Sequence, residues 1–163
     1  MNIRKANIKE FDKIRDIYAS ARLFMSENGN ATQWKDGYPS DELIKDDIER
    51  ESLYVCMDGD DIVGVFYFAK ENDPVYAKIY GGKWLNEREY AVVHRVAVAK
   101  QGRGVAAFCF DYCYNTFPNL KIDTHNDNIP MQKALLKNGF LFCGKIYLEN
   151  GEERLAYQKC ITK

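Results

Sequence analysis

Residues 91–118, AVVHRVAVAKQGRGVAAFCFDYCYNTFP, constrain the fold more than any other stretch of this chain. An apolar run of strand type passes into an apolar run of helix type. The joint, Gln101-Gly102-Arg103-Gly104-Val105-Ala106, holds two glycines and no acid. A buried strand that feeds a helix belongs to a layered α/β arrangement, with the helix packed on the sheet. The bare backbone of the joint has two explanations. One is a tight turn, which is enough for a glycine pair taken alone. The other is a ligand lying against the amides, because a helix N-terminus carries unpaired N–H groups and about half a positive charge.

The flanking sequence supplies the other layers. MNIRKA alternates like a strand, and Ile8, Phe11, Ile14, Ile17, Tyr18, Ala21 and Phe24 recur at helical spacing. SDELIKDDIERE opens with Ser40 as a cap, with Leu43, Ile44 and Ile48 as its inner stripe and its acids as a solvated face. Two β-rich runs flank Asp58-Gly59-Asp60, a hairpin signal. Residues 71–89 are irregular and polar and read as a surface loop. LKIDTH is a strand, NIPMQKALLKN a short helix with Pro130 in its first turn, and residues 140–162 a second hairpin. The predicted order is β-α-α-β-β-β-α-β-α-β-β. It describes one domain over 1–163 of α/β (α+β) class, a single mixed sheet with helices on both faces.

Composition excludes several functions. Basic and acidic residues number 23 and 24, so net charge is −1 and counterion-driven nucleic-acid binding is not expected. No apolar run reaches membrane-spanning length. Five cysteines without framework spacing, and only two histidines, point to a reduced, cytoplasmic protein without a metal site. Cys109 and Cys113, four apart on a helix, read as small core residues.

The joint is not a P-loop, because G-x-x-x-x-G-K-[ST] is missing, and position 107 is Ala where a dinucleotide fingerprint needs glycine. The pattern present is Q/R-x-x-G-x-G/A after a strand ending in V-x-V. It resembles the acetyl-CoA pyrophosphate loop of the GNAT acyltransferase superfamily. NIPMQKALLKNGF is similar to that family's last helix, with Asn128, Lys137, Gly139 and Phe140 in register. The resemblance covers essentially the whole chain. It implies a mostly antiparallel sheet whose fourth and fifth strands splay, and acetyl-CoA as co-substrate. Val96, Ala97 and Val98 would pair with the pantetheine arm. The amides of Gln101, Gly102, Arg103, Gly104, Val105 and Ala106 would hold the pyrophosphate, Asn128 would bond the pantetheine, and Met131 would pack beside it. Homodimers are common among its members. Leu135 stands where many members carry a tyrosine near the leaving sulfur, and leucine donates no proton.

Acetyl transfer to an amine needs a proton acceptor. His94 is two residues before Val96, hence expected on the same strand face, and its ordinary pKa suits a base. His125 follows the next strand, where Asp123 shares its face and is placed to orient it. Each histidine has a structural alternative, inside the sheet or beside a helix cap. Trp34 and Tyr38, in QWKDGYP, form a candidate aromatic wall for the acceptor, with core packing the alternative for Trp34. The expected function is acetyl transfer from acetyl-CoA to a primary amine of a small molecule or peptide, by direct attack in a ternary complex. The alternative is a catalytically silent acyl-CoA-binding regulatory module.

Overall fold

The structure, a computed structural model, describes residues 1–161. Thr162 and Lys163, which the single-domain reading also spans, lie outside the described residues. The elements run β1 (Asn2–Lys5), α1 (Phe11–Glu27), α2 (Asp41–Glu49), β2 (Leu53–Asp58), β3 (Asp61–Lys70), β4 (Ala91–Val98), α3 (Val105–Thr116), β5 (Asn119–Thr124), α4 (Ile129–Lys137), β6 (Leu141–Tyr147) and β7 (Glu153–Cys160). This is the order read from the sequence. Asn7 caps a short 3-10 turn, Ile8–Glu10, in a capping box, and α1 begins only after it.

All seven strands form one sheet, ordered β1-β2-β3-β4-β5-β7-β6. Only β4 and β5 are parallel, and they pair at just two positions, Ala91–Leu120 and Val92–Lys121. Beyond these the strands part. Helices cover both faces. On one, Ile14, Tyr18, Ile44 and Ile48 of α1 and α2 pack with Val55, Val65 and Val92. On the other, Val105, Phe110 and Leu135 of α3 and α4 pack with Phe66, Val93 and Ile122. The alternation of strand residues sorts them between these two layers. A Cβ on Gly64 would lie 2.7 Å from Val105 Cγ1, so the missing side chain lets the first turn of α3 sit tight on β3.

The segment 71–89 is irregular and mostly exposed, as its polarity suggests, but it is anchored by aromatic side chains. Tyr76 is 2% exposed and packs edge-on to Trp84 and tilted against Tyr90, just beyond the segment. These three rings pack against the core on the α1 side of the sheet. They also enclose Lys121, 5% exposed, whose Nζ lies 4.1 Å from the Trp84 ring centre and 3.9 Å from that of Tyr90. Burial lowers the Lys121 pKa to about 8. That lies below the ordinary lysine value of about 10.4, so the folded state binds protons less readily than the unfolded one. Below pH about 8 the buried ammonium weakens the fold. Stability should rise as pH climbs from there toward about 10. Denaturant melts of wild type and Lys121→Met across that range should show the wild-type slope exceeding that of the variant; parallel curves would contradict the assignment.

Candidate functional site

Where β4 and β5 part, a cleft of about 590 Å³ opens, within the size range of small-molecule sites. Val93, His94, Arg95 and Val96 line one side, Ile122, Asp123 and Thr124 the other, and Asn128 and Met131 of α4 the floor. Segments 33–38 and 71–75 complete the walls.

The edge of β4 is broken by a bulge. Tyr67 of β3 faces His94 and Val65 faces Ala97, so Arg95 and Val96 together oppose the single residue Phe66. Arg95 takes φ 51°, unusual for a side chain of its size. The bulge overturns the expectation that His94 and Val96 share a face. Period-2 alternation stops at Arg95, so Val96 packs on the α3 side, while His94 stacks on Tyr67 and Tyr76 on the other. Ala97 likewise packs on the α1 side.

Arg95 is held by its surroundings. Its guanidinium grips Asp47 with two prongs, Nε–Oδ2 at 2.9 Å and Nη2–Oδ1 at 3.1 Å, and Nη1 donates to the Tyr38 hydroxyl. It lies 4.5 Å from the Tyr67 ring centre, and the Tyr18 hydroxyl donates to its carbonyl at 2.8 Å. Asp47 is therefore not part of a solvated acidic face; it is 2% exposed. Burial raises its carboxyl pKa against the pull of Arg95. The guanidinium stays charged throughout the ordinary pH range.

His94 Nε2 lies 3.1 Å from Asp73 Oδ2, with each side chain about one-fifth exposed. Asp73 is fixed in turn, its N–H donating to the Tyr90 hydroxyl and its Oδ1 accepting from the Val75 amide. Burial acts to raise the Asp73 carboxyl, but the His94 contact, the Val75 amide and the nearby Arg95 charge hold it below the usual range. With the neutral-ring proton on Nε2, donated to Asp73, the Nδ1 lone pair is the basic nitrogen.

His125 is placed differently. It is absent from the cleft lining. Nδ1 accepts from the Asp127 amide at 2.9 Å and Nε2 meets Thr32 Oγ1 at 3.0 Å. Asp123 does not orient it, because its Oδ2 accepts from the Tyr76 hydroxyl at 2.6 Å. The turn after β5 swings His125 to the helix cap, the structural alternative weighed for it.

Trp34 and Tyr38 both line the cleft, their ring centres 6.2 Å apart. Trp34 is also core, edge-on to Tyr18 and 7% exposed. Gln33 joins this segment to α4: its Oε1 accepts from Asn30 Nδ2 at 2.9 Å and from Asn128 Nδ2 at 3.0 Å. Asn128 Oδ1 meanwhile caps Met131 N.

At the far end of β4, Gly102 and Gly104 adopt φ 76° and 71°, and a Cβ at either would meet nothing within 4 Å. Gly104 is the N-cap of α3 and supplies no side-chain bond, so the first amides of that helix lack a side-chain acceptor. Arg103 and Val105 border a second depression beside this turn, while Gln101 and Ala106 lie on the turn and the first helical turn. Val98 ends β4 half-buried. The turn is an open set of amides at a positive helix end, the kind of place at which phosphate groups bind.

The sequence did not single out Arg95, Asp47, Asp73 or Gln33. Asp47 carried a faint signal, an acid at the edge of the inner stripe of α2 one residue before Ile48. Gln33 opens the QWKDGYP segment named for its aromatic residues, and Asp73 carried no signal.

No family model and no curated protein matches the sequence. Solved structures do match. A GNAT-family acetyltransferase from Streptococcus agalactiae 2603 is 35% identical, with 99% of this chain and 96% of that one covered and a TM-score of 0.91. A GNAT-family acetyltransferase from Listeria monocytogenes 4b F2365 is 19% identical, with 98% and 94% covered and a TM-score of 0.69. A chain of the NatC complex bound to Gag peptide and CoA is 12% identical, with 99% and 98% covered and a TM-score of 0.65. The last two speak to the fold alone.

Replacing Asp47 with alanine would strand a buried guanidinium. The expected cost is about 3–5 kcal/mol of stability, read as a lowered denaturation midpoint; an unchanged midpoint would show that the pair does not hold the bulge.

Proposed function

Because the chain belongs to the GNAT acetyltransferase family, we propose that this acetyl-CoA-dependent N-acetyltransferase acylates a primary amine of a small molecule or peptide, by direct attack in a ternary complex. The observation that carries the proposal is the His94–Asp73 pair in a cleft beside β4, the strand that runs on into the turn of Gly102 and Gly104 with its open amides. Donor and base thus belong to one strand, β4.

The residues divide the work. The amides of Gln101 through Ala106, with the Arg103 cation, hold the diphosphate of acetyl-CoA. Val96, Ala97 and Val98 offer strand edge to the pantetheine, Asn128 a hydrogen bond, and Met131 an apolar contact. The bulge sets Arg95 and Val96 against one residue of β3, and β5 has diverged, so the Val96 main-chain N–H is the group assigned to polarise the thioester carbonyl. His94 takes the amine proton, directly or through water, while Asp73 fixes the tautomer and stabilises the imidazolium. Trp34 and Tyr38 wall the acceptor side, where Asp73 and Glu71 add negative charge that attracts an ammonium. The NatC chain, whose structure holds a peptide and CoA, motivates including peptides among the acceptors. His125 serves the turn rather than the chemistry. Five free cysteines accord with a reduced compartment such as the cytoplasm. Among the described residues no helix is long and apolar enough to cross a membrane.

Free-thiol release from acetyl-CoA, screened against amino acids, polyamines, aminoglycosides and peptide N-termini, should saturate with at least one amine. Binding without turnover over that panel would favour the regulatory module instead. Gly104→Asp places an anion in the cradle and should abolish acetyl-CoA binding. His94→Ala should cut kcat by about 10²-fold or more with acetyl-CoA affinity nearly unchanged; an unaltered pH profile in that variant would remove His94 as the base.

A further inference from the structure

Thr124 ends β5, on the opposite side of the cleft from His94. It is fully buried, and its Oγ1 has no hydrogen-bond partner. A buried hydroxyl without a partner costs stability, about 1–3 kcal/mol by general experience. Such a group in a native structure calls for an explanation: strain, a bound water or ion, or a role in catalysis. Ile122, two residues earlier and on the same face of β5, packs in the cluster that contains Leu135. Leu135 is itself fully buried and apolar, so α4 presents no donor at that position. The only other buried side-chain polar atom without a partner among the described residues is Asn30 Oδ1, which is not a cleft-lining group.

We propose that the Thr124 hydroxyl is a catalytic hydrogen-bond donor to the leaving sulfur, doing from β5 what no residue on α4 does in this chain. The inference rests on the acetyltransferase reading above. As the amine nitrogen bonds to the acetyl carbon, the carbon–sulfur bond breaks and its electron pair stays on sulfur. The amine proton goes to His94. Thr124 transfers no proton, since an aliphatic hydroxyl is far less acidic than a thiol. Its O–H shares hydrogen with the sulfur as negative charge grows there, and the thiolate later takes a proton from water. A preplaced donor inside a cleft stabilises that charge more than solvent would, because it needs no reorganisation when the bond breaks.

The test uses the full chain with coenzyme A itself, so no acceptor need be known. Ultraviolet thiolate absorbance follows the titration of the thiol bound to wild type, Thr124→Val and Thr124→Ser. Removing the donor should raise the bound thiol pKa by about one unit, a tenfold loss in the thiolate equilibrium. Serine should restore it. With the best amine from the panel, Thr124→Val should lower kcat about 10- to 100-fold, with coenzyme A affinity within about threefold. Its melting temperature should be equal or higher, because an unpartnered hydroxyl is gone. If Thr124→Val does not fold, Thr124→Ala makes the same deletion with less bulk. Superimposable thiol titrations would overturn this inference alone. Failure of wild type to bind coenzyme A would overturn the acetyltransferase reading, and this one with it.

Discussion

The parting of β4 from β5 is the constraint on which the rest of the site depends. The two strands hold together at Ala91–Leu120 and Val92–Lys121 and then separate. A sheet that opens in its middle exposes two edges, which tend to pair with each other or with any available strand. Here the β4 edge is bent by the bulge at Arg95, and the bulge is pinned from below. The Arg95 side chain is ion-paired to Asp47, its carbonyl accepts from Tyr18, and its guanidinium lies over Tyr67. Each of these groups belongs to a different element, α2, α1 and β3 in turn. Tertiary packing therefore keeps the cleft open, at the expense of one left-handed residue and one buried ion pair.

The walls of the cleft are held by a second set of contacts, between segments far apart in sequence. Gln33 ties the α1–α2 connection to Asn128, and Thr32 reaches His125. On the other side, Tyr90 and the Val75 amide fix Asp73, and Asp73 fixes His94. His125 is hydrogen-bonded through both ring nitrogens and stitches two turns together, whereas His94 is held through Nε2 alone and sits on the cleft. His94 lies within β4 and so faces the cleft, whereas His125 follows the end of β5, where the turn carries it to the cap of the next helix.

Much of this was legible in the linear sequence. The strand, turn and helix at residues 91–118, the two hairpins, and the cap residue Ser40 all act locally, and local signals survive without tertiary knowledge. So did the amide cradle, because Gly102 and Gly104 are chosen for their own φ. The face of His94 did not come through, since alternation assumes an unbroken strand and a bulge changes its parity. Nor did the anchoring of the 71–89 loop, where Tyr76 is buried against Trp84 and the nearby Tyr90 although its neighbours are polar and exposed.

By itself, then, the sequence determined the order of elements, the two apolar layers and the turn that opens α3, because each follows from neighbours a few residues apart. Only the tertiary structure decided which acids are partners. Asp47 meets Arg95 and Asp73 meets His94 across separations of 48 and 21 residues, and an ion pair leaves no periodic trace in the chain. The physical reason is that hydrophobic patterning repeats and can be read along one element. A polar contact is made once, between single atoms, and exists only after the elements that carry them have packed.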